Sequence, residues 1–263
     1  MSNIYEALEL AQREKIGSQL GPLISLPEEV AAKEGISVNK IPLKVGRSGN
    51  SADLDMDREM FCLYQNIEYL LPTPAKTIQF IGLQGGEGVS TIVRDFARMA
   101  TSKFDKSVLI MDAAHHNPSQ HHFFDIKGGA GWKDIMGKGE SVDKACNKAG
   151  NKKLFLVPIS PQHVMTQNVN DHPATTGFLD GLKNKFDFIL IDSSPAITSP
   201  DSIAISRFTD GVVLIVEAER TRKQVVENVK NKIVRNGGNI LGVVFNKRKY
   251  YIPEFIYQRL FKS

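Results

Sequence analysis

Apolar residues run along this chain in two rhythms. Short unbroken runs appear at 77–82 (TIQFIG), 107–112 (SVLIMD), 153–158 (KLFLVP), 187–192 (DFILID), 211–216 (GVVLIV) and 239–245 (NILGVVF). Each is too short for a packed helix and lacks the polar alternation of a strand with one wet face, so all six predict strands buried on both sides. Helical spacing fills the gaps: Met56, Met60, Leu63, Ile67 and Leu71, then Ile92, Val93, Phe96, Ala97 and Ala100 from Ser90 onward. It recurs over 172–186 and through Val225, Val226, Val229 and Ile233. Pro72 stops the first of these helices, and Gly237 with Gly238 ends the last. Residues 131–136 (GWKDIM) and 141–149 (SVDKACNKA) predict two further short helices. Strands separated by helices make an α/β fold, a doubly wound and mostly parallel sheet flanked by helices.

The first fifty residues follow neither rhythm throughout. Residues 1–16 predict an amphipathic helix, with Asn3 as cap, Glu6 as its capping-box partner and a thin stripe of Ile4, Leu8 and Ala11. That stripe could pack on the parent domain or dock a partner, and the sequence leaves both open. Residues 17–52 hold recurrent Gly and Pro without a period and predict a linker. The domain proper is expected over 53–263.

Between the first strand and the helix at Ser90 lies LQGGEGVST. Gly85, Gly86 and Gly88 let successive backbone N–H groups curl around an anion. The helix that follows offers unpaired N–H groups and a partial positive charge, which together favour phosphate. A strand, this loop and a helix make a phosphate-binding P-loop, and the fold is therefore P-loop NTPase-like. One position departs: where G-x-x-x-x-G-K-[ST] has lysine, this chain has Val89. A charge-assisted contact is worth about 1.5–3 kcal/mol, or roughly ten- to a hundredfold in affinity. Backbone and Ser90 can still bind a nucleotide weakly. Chemistry loses more, because that lysine also balances charge in the transition state. Asp112 and Asp192 end two strands on the same side of the sheet as the loop, where such folds bind ligands.

Composition narrows the classes. A formal charge of +4 on 263 residues gives no reason to expect a nucleic-acid partner, though an anionic surface remains accessible. No apolar run approaches the ~18 residues of a spanning helix, and the N-terminus lacks the pattern of an export signal. Cys62 and Cys146 are far apart and suggest neither a disulfide framework nor a zinc site. A cytoplasmic protein is expected.

The blocks GGEGVST, VLIMDAAHHNPSQHHFF, FDFILIDSSP, DGVVLIVEAERTR and NILGVVFN resemble, in order and spacing, the cytoplasmic kinase domain of bacterial tyrosine autokinases (BY-kinases) of capsule and exopolysaccharide synthesis. The start, MSNIYEALELAQREK, is similar to that of an exopolysaccharide-associated branch. The resemblance implies ATP or ADP with Mg²⁺ held by Gly85, Gly86, Glu87, Gly88, Val89, Ser90, Thr91 and, at the adenine, Asn246. It implies Mg²⁺ at Ser90, Asp112 and Asp192, with Asp112 and Asp192 as the residual catalytic carboxylates. Glu87 matches the family's loop glutamate and is expected to order the turn.

Four departures touch four tasks. Val89 replaces the phosphate lysine, and the family's D-x-D is Asp112-Ala113-Ala114 here. The C-terminal tyrosine cluster is reduced to Tyr250, Tyr251 and Tyr257, and the ring-forming E-x-x-R-x-x-R reads Glu59, Cys62, Gln65. Lys106, Lys247 and Arg248 are candidate compensating bases. The resemblance therefore implies a degenerate, pseudokinase-like member that regulates or assembles polysaccharide synthesis. Its expected partner is a membrane polysaccharide co-polymerase, which would hold it peripherally at the inner face of the inner membrane, with homo-oligomerisation left open. Two alternatives stand: a weakly active tyrosine kinase or ATPase, and a partition- or division-site ATPase, whose signature loop lysine is Gln84 here. His115, His116, His121 and His122 could seat a metal, but a surface loop is the expected reading. The basic stretches 230–235 and 246–251 are expected to be a solvated face and an unspecific cationic patch.

Overall fold

The computed structural model describes residues 50–115, 118–126, 131–132, 134–135, 142–150, 153–159 and 172–247. The expected N-terminal helix, nearly all of the linker, Arg248 and the three C-terminal tyrosines lie outside the described residues.

Seven strands form one sheet in the order β3-β4-β2-β5-β1-β6-β7. They are β1 (Lys76–Gly82), β2 (Val108–Ala113), β3 (Asn147–Lys148), β4 (Leu154–Val157), β5 (Phe188–Ser193), β6 (Gly211–Glu217) and β7 (Ile240–Asn246). All pairings are parallel except β3 with β4. The helices are α1 (Asn50–Leu70), α2 (Val89–Lys103), α3 (Gln120–Phe123), α4 (His172–Lys183), α5 (Pro200–Ile205) and α6 (Lys223–Arg235). The expected doubly wound sheet is present. α1 begins at Asn50, inside the stretch read as linker to residue 52.

Alternation explains the layering. On one side Ile78, Phe80, Ile110, Phe188 and Leu190 pack with Met60, Leu63 and Ile67 of α1 and Ile92, Phe96 and Ala100 of α2. Leu109, Met111, Ile189 and Ile191 meet Leu179 and Leu182 of α4 in a second cluster, and Ile81, Val212 and Leu214 meet Val229 and Ile233 of α6 in a third. Central strands covered on both faces need no polar alternation, which is why they read as continuous apolar runs.

The last helix stops as its glycines predict. Gly237 takes φ +87°, and the N–H groups of Gly237 and Gly238 donate to the carbonyls of Val234 and Ile233, a Schellman closure. Residues 141–149 do not form the expected helix. A 3₁₀ turn at Val142–Lys144 leads into β3, whose Asn147 and Lys148 pair antiparallel with Leu156 and Phe155. Gly150, at φ +78°, turns the chain back, so strand pairing overrides a weak local helix preference. Of residues 131–136, Trp132 and Ile135 are buried in the second cluster. The sequence reading missed α5, though its Ser199-Pro200 start is a helix signal.

The base of β1 carries a buried cation. Lys76 is 2% exposed and its Nζ donates to both carboxylate oxygens of Glu68 on α1, at 3.1 and 3.2 Å, and to the Thr73 carbonyl. The Tyr64 hydroxyl, near the same carboxylate, has its pKa pushed up to about 12, first by burial and then by the Glu68 charge. Removing one partner leaves an uncompensated buried charge. Glu68→Gln is expected to lower the unfolding free energy by about 3 kcal/mol in urea titrations, the low end for a broken buried pair, because Glu68 keeps 31% exposure. The apolar pair Lys76→Met with Glu68→Leu recovers most of that loss.

Candidate functional site

The site lies at the carboxyl ends of β1, β2 and β5. The loop after β1 uses positive φ at Gly86 (+85°) and Gly88 (+90°), conformations that side chains disfavour. A Cβ on Gly88 would also collide with the Asn246 carboxamide. At Gly85 the space around a Cβ is open and φ is not positive.

Glu87 fastens the loop from within. Its side chain is buried, and Oε2 accepts the N–H groups of Leu83 (2.5 Å) and Gln84 (3.0 Å). Oε1 accepts the Thr221 hydroxyl at 2.8 Å, beyond the end of β6. The Glu87 carbonyl accepts from Asn246 Nδ2 at 2.8 Å, at the end of β7. One residue thus ties three strand ends to the loop. Asn246, read as an adenine contact, commits this amide N–H to the loop backbone, and its Oδ1 accepts the Lys247 N–H.

Val89 is half-buried and packs against the core cluster of α1 and α2. The three candidate bases separate. Lys106 pairs at 4.0 Å with Asp187, which precedes β5 and so lies at the opposite end of the sheet. It cannot serve the loop. Lys247 does reach it, with Nζ 2.5 Å from the Gly86 carbonyl and 3.4 Å from Glu217. Arg248 lies outside the described residues.

Asp112 and Asp192 are register partners on adjacent strands, and both are fully buried. Asp112 accepts the N–H groups of Ala114 (3.0 Å) and Gln120 (3.3 Å), one on each oxygen. Asp192 Oδ2 accepts Gln120 Nε2 at 2.7 Å, and Nε2 also donates to the Ser90 carbonyl at 3.2 Å. The Ser90 hydroxyl sits beside the Asp192 carboxylate, whose Oδ1 accepts no well-aligned hydrogen bond. Arg94 completes the group, donating to Thr91 Oγ1 at 3.1 Å and to Gln120 Oε1 at 3.5 Å. Gln120 and Arg94 were not singled out from the sequence. Arg94 was legible as the residue one helical turn beyond Ser90; nothing local distinguishes Gln120 within its histidine-rich stretch.

Burial decides the electrostatics. It raises the pKa of Asp112 to about 7, with the Asp192 charge adding to the effect and the two backbone N–H groups opposing it. Asp192 is raised as well, chiefly by burial, against the opposing hydrogen bonds of Gln120 and Ser90 and the nearby charge of Arg94. Ser90 and the buried Asp192 Oδ1, which has no hydrogen-bond partner, fit a magnesium ion that arrives with phosphate oxygens. Asp112, expected to share that ion, has both oxygens committed to backbone donors. Of the histidines, His121 and His122 form a tilted ring pair with centroids 4.0 Å apart on α3, and the His115 N–H donates to Ser194 Oγ. Among the described residues no group of three His, Cys, Asp or Glu converges to hold a metal.

A carboxyl that holds its proton more tightly when folded stabilises the fold most below its unfolded pKa. For Asp112 that stabilisation is complete below the ordinary value of 3.8 and is lost as pH rises through about 7. Urea midpoints of the wild-type chain in chelator should therefore fall across this window. Asp112→Asn, neutral throughout, is expected to flatten the fall.

The sequence profile for cellulose biosynthesis protein BcsQ matches residues 75–231, more than half of the chain. The putative tyrosine-protein kinase CapB of Staphylococcus aureus is 26% identical over 139 residues, 53% of this chain and 61% of CapB, so the chain spans about three fifths of that relative's length. The tyrosine-protein kinase CpsD of Streptococcus agalactiae is 26% identical over 176 residues, 65% of this chain and 75% of CpsD. Among solved structures, the chimerical protein CapA2B2 superposes with a TM-score of 0.64 at 20% identity, over 90% of this chain and 97% of that one. The septum site-determining protein MinD of Pyrococcus horikoshii, complexed with Mg-ADP, reaches 0.54 at 17% identity, over 71% of this chain and 77% of that one. These two likenesses show the fold, a P-loop NTPase-like sheet. The profile match over the strand, loop and helices that build the site places the chain in the cellulose biosynthesis protein BcsQ family.

Proposed function

We propose that this chain is a regulatory or assembly component of exopolysaccharide or capsule synthesis, in which a BY-kinase-like domain has lost efficient phosphoryl transfer. The observation that carries the reading is the pair of side chains at the site. Half-buried Val89 packs against the core cluster where the loop lysine belongs, and Ala114 stands where the second carboxylate belongs. Phosphoryl transfer depends on cations that follow charge onto the moving phosphate. A preformed amide cradle without them can bind ATP or ADP but does little to lower the barrier. Magnesium, held by Ser90 and Asp192 with the phosphates, would supply further neutralisation of charge on the phosphate oxygens.

In this reading the domain of residues 53–263 works through its surfaces, with helix 1–16 and linker 17–52 as tether. Its partner is the cytoplasmic part of a membrane polysaccharide co-polymerase, which holds it at the inner face of the inner membrane. Helix 1–16 is the proposed docking element. A second reading, a weakly active kinase or ATPase, draws on Lys247, whose ammonium reaches the loop at Gly86. The ammonium is engaged by a carbonyl and by Glu217, which favours the first reading.

Full-length protein incubated with Mg²⁺ and γ-labelled ATP is expected to incorporate no label into its own tyrosines. Val89→Lys with Ala114→Asp should tighten Mg·ATP binding roughly ten- to a hundredfold in calorimetric titrations. Brisk self-labelling of the wild type would overturn the proposal.

A further inference from the structure

The phosphate site lacks its usual lysine, yet it does not lack a cation. Arg94 lies four residues beyond Ser90 on α2, hence on the same face of the helix. Side chains on a helix lean toward its N-terminus. An arginine here therefore reaches back over about one turn, roughly 6 Å of helix rise, toward the end where a phosphate would sit. The side chain makes that reach: Nη2 lies 3.1 Å from the Thr91 hydroxyl, and Nη1 lies 3.5 Å from Gln120 Oε1.

Two features mark this guanidinium as available. Both of these partners are neutral, and among the described residues it forms no ion pair; neighbouring Asp95 lies 3.9 Å from Arg98 instead. It is also held in place. The guanidinium carbon lies over the ring of Phe123, 4.3 Å from its centroid, a cation–π contact. A planar fork of donors on an aromatic ledge suits the oxygens of a terminal phosphate. Burial lowers the pKa of this guanidinium, and the nearby charges of Asp192 and Asp95 oppose that shift.

We infer that Arg94 is the phosphate-binding cation of this site, taking over ground-state binding of a nucleoside di- or triphosphate from the lysine that Val89 replaces. The inference rests on reading the loop as a nucleotide site that binds without efficient turnover. The guanidinium comes from one turn inside the helix, not from the loop, so it can hold phosphate without standing where the lysine follows the transferred group. Binding survives and chemistry does not.

The test is calorimetric titration of the full chain with Mg·ADP and Mg·ATP. Arg94→Ala is expected to weaken binding about ten- to a hundredfold, with Arg94→Lys in between. Arg98→Ala serves as the packing control. Arg98 lies over the same Phe123 ring, at 5.1 Å, but one turn farther from the loop, so its loss should leave affinity unchanged. Adding Val89→Lys to Arg94→Ala should restore affinity, because the two cations serve one anion. If Arg94→Ala melts at the wild-type temperature and binds as the wild type does, the inference is wrong. It is equally wrong if the wild type binds neither nucleotide, or if Arg98→Ala weakens binding as much. Each of these leaves the non-catalytic reading intact, whereas self-labelling with ATP overturns that reading whatever Arg94 does.

Discussion

The buried carboxylate of Glu87 is the constraint on which this site depends. A loop of glycines has the most backbone freedom to lose, and ordering it costs roughly 1–2 kcal/mol per residue. Glu87 offsets that cost by satisfying two N–H groups inside the loop and binding a hydroxyl from beyond β6. Its carbonyl is held in turn by Asn246 from β7. The cradle is thus set by the sheet itself and needs no ligand to hold its shape. Glu87 contributes the geometry of the loop, and the side chain at position 89 takes no part in these bonds.

Behind the loop, the parallel register of β2 and β5 sets Asp112 against Asp192 in a dry interior. Two adjacent carboxylates in low dielectric resist ionising together. Gln120 relieves part of the strain by donating to one acid through its side chain and to the other through its backbone. The outcome is a neutral-leaning, hydrogen-bonded cluster on the sheet side and a cationic corner on the α2 side.

Much of this was legible in the residues. The buried strands are apolar throughout because both faces are covered, and Gly237 and Gly238 announce a helix stop that the backbone realises. Gly86, Gly88, Glu87 and the two aspartates follow from the loop motif and from strand ends that share one edge of the sheet. What could not be read has a physical cause in each case. Asn147 and Lys148 pair with β4 through contacts that no local pattern encodes. Gln120 gains its role from Asp192, 72 positions later on another strand, and the value of Arg94 depends on Phe123, a ring 29 positions away that only the fold brings beneath it. Lys106 shows the reverse error: a base close in sequence to Asp112 sits at the far end of the strand from it.

The hairpin made by β3 and β4 has a consequence for assembly. An exposed parallel edge is a template for another chain's strand. β3 covers part of the β4 border with only two residues, running the opposite way, and so offers an incoming strand almost nothing to lengthen. At the other border β7 runs seven residues, with Phe245 partly exposed near its end. Among the described elements, any growth of this sheet by added strands would be one-sided, making a paired unit by that route and never a continuous ribbon.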